Sequence, residues 1–144
     1  MNNLSKTCLL FVGIAVMSNS SCDKDSLGSV KTSGFNSPFE LALNGNMILS
    51  KEKKELIIKL NKITDSRCPP NLQCIWAGNV TTEVKLTAED GSEAFAKLCL
   101  GECDKKFKTS DTSVISLNNT SYIVVLSEVR NSRTNKAVLL VKKK

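Results

Sequence analysis

The chain has no histidine, which removes the commonest general base and the commonest metal ligand together. Neither a Ser-His-Asp nor a Cys-His catalytic set can be assembled within it, and a His-Glu-x-x-His zinc helix is equally absent. Aromatic residues make up only 5%, with one Trp and one Tyr, so a sugar-stacking cleft has little to be built from. Long apolar runs are missing too. The longest spans Cys8 to Met17, which as a helix would rise about 15 Å, half of the roughly 30 Å hydrocarbon layer, and so makes a poor permanent membrane span.

What is present is ordinary for a globular protein: 144 residues, 41% hydrophobic and 24% charged. That composition gives no support for a disordered or collagenous chain and suits one hydrophobic core. The formal net charge of +6 is spread over Lys51 to Lys54, Lys105 to Lys108 and Lys142 to Lys144. Recognition of nucleic acid asks for one clustered basic face with stacking residues, so no nucleic-acid partner is expected.

Residues 1–21 have the layout of an export signal: Lys6 in a short leading region, the apolar run, then Ser18-Asn19-Ser20-Ser21. Ser20 and Ser21 directly before Cys22 resemble the lipobox of bacterial lipoproteins, in which the cysteine is acylated; Asn19 departs from that motif, which favours an aliphatic residue there. Cysteine parity supports the resemblance. Beyond residue 21 there are five cysteines, Cys22, Cys68, Cys74, Cys99 and Cys103, and acylating Cys22 leaves an even four for an oxidising compartment. The expected anchor is therefore an N-terminal lipid on the membrane of the cell envelope. Residues 22–38 are polar and small and read as a tether. Asp23-Lys24-Asp25 resembles sorting signals of some outer-membrane lipoproteins.

From residue 39 to 144 the dominant period is two. Phe39, Leu41 and Leu43 alternate with polar or small neighbours, and Val80, Thr82, Val84 and Leu86 alternate with Thr81, Glu83 and Lys85. Asn44-Gly45 between apolar runs signals a hairpin, and Glu89 to Ser92 a turn before a returning strand from Ala94 to Leu100. Lys51 to Ile63 fits a helical face through Leu56, Leu60 and Ile63, or a strand through Leu56, Ile58 and Leu60; the adjacent β-branched pair Ile57-Ile58 favours the strand. Tyr122 to Leu126 and Ala137 to Val141 are apolar on both faces and form a central hairpin around residues 131–135. The fold class is all-β: a single small β-sandwich or barrel-like domain of about eight antiparallel strands.

Cys68 and Cys74 enclose a short segment stiffened by Pro69 and Pro70, and bridging it would restrict the unfolded chain by about 2 kcal/mol. Cys99 and Cys103 form a second close pair, although all three connectivities of four cysteines are open, as is a four-thiolate zinc site. The oxidising destination favours two local disulfides and no cofactor. The run Asp65-Ser66-Arg67-Cys68-Pro69, then Cys74, then Trp76-Ala77-Gly78 resembles a group of small bacterial envelope lipoproteins carrying Asp-Ser-Arg-Cys-Pro, four residues, Cys, one residue and Trp-Ala-Gly. The resemblance extends over the strands from Phe39 to about Val129 and implies the same domain type; it carries over no established activity, and Cys99 and Cys103 lie outside it.

Trp76 shares strand phase with Gly78, Val80 and Val84, which places it in the core. As an alternative, Arg67, Asn71, Gln73 and Trp76 would form a binding site on the loop, although an ion pair between Asp65 and Arg67 bracing the chain is the plainer expectation. Three functions are open. The favoured one is a non-catalytic domain that binds an envelope protein, peptide or glycan, or is structural. A hydrolase inhibitor would present the Cys68–Cys74 loop as a wedge, and a glycan-active enzyme would draw on paired carboxylates among Asp65, Glu83, Asp90, Glu102, Asp104 and Glu128.

Overall fold

Alternation of apolar and polar side chains builds this domain, because each strand then offers one dry face to a common core. The computed structural model describes residues 31–50, 54–130 and 135–144. The export signal, Cys22 and most of the expected terminal loop lie outside the described residues. Within them are β1 (Lys31–Ser33), β2 (Pro38–Ala42), β3 (Asn46–Ser50), β4 (Lys54–Asp65), β5 (Asn79–Ala88), β6 (Glu93–Cys103), β7 (Lys106–Lys108), β8 (Asp111–Leu117), β9 (Thr120–Arg130) and β10 (Lys136–Lys143). A six-stranded sheet in the order β1-β3-β4-β5-β6-β7 faces a four-stranded one in the order β2-β10-β9-β8. The result is an all-β sandwich. Leu49, Leu56, Ile58, Leu60, Leu86 and Leu98 from the first sheet meet Val124, Leu126, Leu139 and Val141 from the second, all buried.

The stretch ending in Ile63 is a strand, and its helix-like spacing has a local cause. Between Leu60 and Lys62 the pairing of β4 with β5 slips by one residue, so Asn61 is extra and inverts the strand's facing. Leu56, Ile58 and Leu60 point inward before the bulge, and Ile63 packs against the core after it. A slip at Ser127 does the same in β9, so that Leu126 and Val129 are both buried. The central hairpin of β9 and β10 forms as expected.

Three expectations need correction. The described residues contain ten strands rather than about eight, and β1 runs parallel to β3. The segment read as tether through residue 38 contributes β1 and buries Phe35, whose ring stacks on Tyr122 at 6.2 Å. Phe35 is a lone apolar residue in a polar stretch, so no periodicity reveals it. Asn44-Gly45 does not close a hairpin: β2 and β3 belong to opposite sheets, and the turn carries the chain between them. Asn44 alone is left-handed there, at φ 63°, with Gly45 N–H donating to Ala42 O at 2.8 Å. A type I′ hairpin needs two such residues in succession, a condition met by Asp104-Lys105 and Asn118-Asn119.

Candidate functional site

Between β4 and β5 the chain leaves the sheet as a long excursion, residues 66–78, rooted by strand-like bonds. Ser66 N–H donates to Asn79 O at 2.8 Å and Cys68 N–H to Ala77 O at 2.9 Å. Cys68 and Cys74 are joined by a disulfide, with Cα atoms 5.9 Å apart, and Leu72 N–H closes a turn on Pro69 O at 3.1 Å. Proline supplies fixed φ and no N–H to satisfy, which suits a loop with little backbone pairing.

Arg67 is consumed by bracing. Its Nε donates to Asp65 Oδ1 at 2.9 Å, its Nη2 to Asp65 Oδ2 at 2.6 Å and to Val129 O at 3.0 Å. The fork ties the root of the loop to β9 on the other sheet. Hydrogen bonding to Asp65 raises the guanidinium pKa, burial opposes it, and the carboxylate charge adds to the rise. The ion pair is thus the one expected from sequence, and Arg67 serves the loop's base rather than its tip.

The root is also held by a backbone contact that admits no side chain. Gly78 lies at φ +72° and Gly101 at φ +89°; a Cβ on Gly101 would stand 2.5 Å from Gly78 O. Glu102 N–H donates to Gly78 O at 3.0 Å and Asn79 Nδ2 to Glu102 O at 3.0 Å. Cys99 and Cys103 are bridged with Cα atoms 6.1 Å apart, and this second disulfide sits beside the same contact. All four sulfurs are therefore in disulfides, which removes the thiolate zinc site. Among the described residues no three His, Cys, Asp or Glu side chains group as metal ligands.

Trp76 is not in the core. It is 69% exposed, with Leu72 at 66% and Ile75 at 97%. The correction has a physical reason: β5 begins only at Asn79, and the left-handed Gly78 breaks the alternation, so the phase of Val80 cannot be carried back to Trp76. Asn71 and Gln73 are exposed on the same loop. Of the expected binding residues, Asn71, Gln73 and Trp76 lie outward, while Arg67 is tied down. Phe107, on β7, adds another exposed ring at this end. Between it and the loop lies an open hollow of about 460 Å³ lined by Cys68, Ala77, Leu100 and Phe107 among others.

Among the described residues the carboxylates weighed as catalysts form no group of three, and Glu102 and Asp104 flank Cys103 at the β6–β7 turn. Asp65 is held by Arg67 and Glu128 by Arg130. Asp90 lies in the β5–β6 turn at the opposite end, where Ser92 donates its hydroxyl at 2.6 Å and its N–H at 3.0 Å; the Ser92 hydroxyl lowers its pKa. Glu83 faces outward on β5. One carboxylate overlooked in the sequence matters structurally: Asp111 accepts from Cys99 N–H at 2.9 Å and from Lys108 Nζ at 3.0 Å.

Fold and site together define a β-sandwich domain with a disulfide-braced, apolar surface loop. No family model matches the chain, and neither a curated protein nor a solved structure matches it.

Proposed function

We propose that this is a lipid-anchored protein of the bacterial cell envelope, acylated at Cys22, whose β domain binds rather than catalyses and uses the Cys68–Cys74 loop as its working surface. The observation that carries the anchor is the pairing of Cys68 with Cys74 and Cys99 with Cys103. It accounts for four of the five cysteines beyond the apolar leader and leaves Cys22 as the odd one, in a compartment where thiols oxidise. Binding is supported by Leu72, Ile75 and Trp76, apolar side chains presented to solvent on a braced loop. The Asp23-Lys24-Asp25 cluster adds the outer membrane as destination.

The test is fractionation of cells expressing Cys22→Ala. Loss of the acyl mass from the N-terminal peptide and release of the domain from the membrane fraction are expected. Membrane partitioning unchanged in that variant would overturn the anchor. A hydrolase inhibitor is the second reading, favoured by the same protruding loop, and it requires that purified protein slow an envelope hydrolase in a way that Ile75→Asp abolishes.

A further inference from the structure

We propose that the tip of the Cys68–Cys74 loop inserts Leu72, Ile75 and Trp76 into the interfacial layer of a phospholipid bilayer, so that the domain lies loop-down on the membrane that holds its lipid. The orientation rests on the anchored reading above; the insertion itself does not.

Among the described residues, four of the six exposed large apolar side chains, Leu72, Ile75, Trp76 and Phe107, lie at one end of the six-stranded sheet. The other two, Phe95 and Val114, stand on separate strands, and isolated exposed residues of that kind need no explanation. Leu72, Ile75 and Trp76 are on a protrusion, beyond the last ladder pair Asp65 with Val80. A protrusion needs no matching cavity in a fluid layer.

The tip is also cheap to remove from water. From Cys68 through Thr82 the chain carries no charged residue, so insertion desolvates no ion. Cys68 and Leu72 N–H groups are already bonded inside the loop, and Pro69 and Pro70 have none, which limits the unsatisfied backbone donors carried into the membrane. Tryptophan favours the headgroup level, where its ring is half buried and its N–H stays hydrated.

The path of the chain points the same way. Lys31 stands opposite Met47, which stands opposite Ile58, and β1 runs parallel to β3. The N-terminal end of β1, at Lys31, is therefore the end directed toward Asp65, about 20 Å further along β4 at strand rise. Eight residues separate Cys22 from Lys31, a span of at most about 30 Å. A lipid on Cys22 is thus within reach of the end of the sheet from which the loop protrudes.

Charge contributes little. Lys105 and Lys106 beside the tip are offset by Glu102 and Asp104, and Lys108 is paired with Asp111. Insertion should accordingly occur on zwitterionic phosphatidylcholine vesicles and persist in high salt.

Trp76 is the only tryptophan and reports the tip alone. Purified full-length protein is mixed with, or reconstituted into, phosphatidylcholine vesicles carrying bromine on the acyl chains near the glycerol. Expected are a blue-shifted emission, quenching by the brominated lipid, and loss of iodide quenching relative to protein without vesicles. Ile75→Asp should weaken the brominated-lipid quenching about tenfold by placing a charge at the tip, while Ile75→Leu preserves it. Vesicle-bound protein whose Trp76 stays open to iodide and unquenched by bromine would overturn insertion and leave the anchor standing. Protein lacking the acyl group refutes the anchor; insertion is then decided by whether added vesicles quench Trp76. A photoreactive residue at position 75 that crosslinks in cells to a protein instead of to lipid would assign the loop to a protein partner and overturn the proposal.

Discussion

Gly78→Ala is the most demanding test of how the loop is held. The residue lies at φ +72°, and a Cβ there would stand 2.1 Å from Ser66 O and 2.8 Å from its carbonyl carbon. Both atoms are backbone, so no rotamer change relieves the clash. The left-handed conformation alone costs an alanine about 1–2 kcal/mol. Relief requires parting the bonds of Ser66 with Asn79, Cys68 with Ala77 and Glu102 with Gly78, each worth about 1 kcal/mol net. The combined loss, about 4–5 kcal/mol, is a large share of the 5–15 kcal/mol typical of a domain. Urea unfolding of the oxidised protein should show a midpoint lower by about 2 M, for a slope near 2 kcal/mol per molar. Gly91→Ala is the control. It has a similar φ, +84°, but nothing within 4 Å of the added atom, so only the conformational cost of about 1–2 kcal/mol applies. Equal midpoint shifts in the two variants would refute the claim that backbone contact at Gly78 holds the loop.

Without lipid, Trp76 should emit at long wavelength and be quenched freely by iodide, and Trp76→Ala should change stability by less than about 1 kcal/mol, as a largely exposed site does; a loss near 3 kcal/mol would return Trp76 to the core. Replacing Cys68 and Cys74 together by serine should cost about 2 kcal/mol in calorimetry or urea while the far-ultraviolet spectrum stays that of a β protein, and an unchanged midpoint would deny the bridge a stabilising role. Burial alone would push the Asp111 carboxyl up, but hydrogen bonds from Lys108 and from the Cys99 N–H, with the Lys108 charge, outweigh it and hold the group below the ordinary range. A depressed folded-state value means the stabilisation is complete above the unfolded pKa of about 3.9 and is lost as pH falls through the folded one. Asp111→Asn should therefore be less stable than the native protein at neutral pH and approach it at about pH 2; a difference that does not shrink in acid would sink the assignment.

The strands were legible wherever the two-residue period ran unbroken, as in β5 with Val80, Thr82, Val84 and Leu86. Reading failed where one residue changed the phase. Asn61 made β4 resemble a helix in its spacing, and Gly78 made Trp76 look like a core residue, because a pattern in sequence assumes a continuous pleat that a bulge or a left-handed glycine interrupts. Phe35 was missed for the opposite reason, since a single anchor has no period. Type I′ turns at Asp104-Lys105 and Asn118-Asn119 lack the glycine that usually marks them. The cysteine pairs and the Asp65 brace were readable from spacing and charge. That Leu72, Ile75 and Trp76 would all face outward was visible only in the absence of any charged residue between Cys68 and Thr82, a feature shared by buried segments.

Both disulfides stand at the end of the sandwich that presents these apolar side chains, and that placement follows from what else could hold it. On an extended strand, Cys99 and Cys103 would be about 13 Å apart; they are 6.1 Å apart because the chain bends at Gly101, φ +89°. The bend brings Gly101 against Gly78 with no side chain between them. Leu72, Ile75 and Trp76 contribute little burial to the native state because they face water, so packing cannot fix the loop that carries them. Covalent bridges, a backbone contact and the Arg67 fork replace it. A loop held by side-chain packing would have to turn its apolar residues inward; held this way, it can keep them outside.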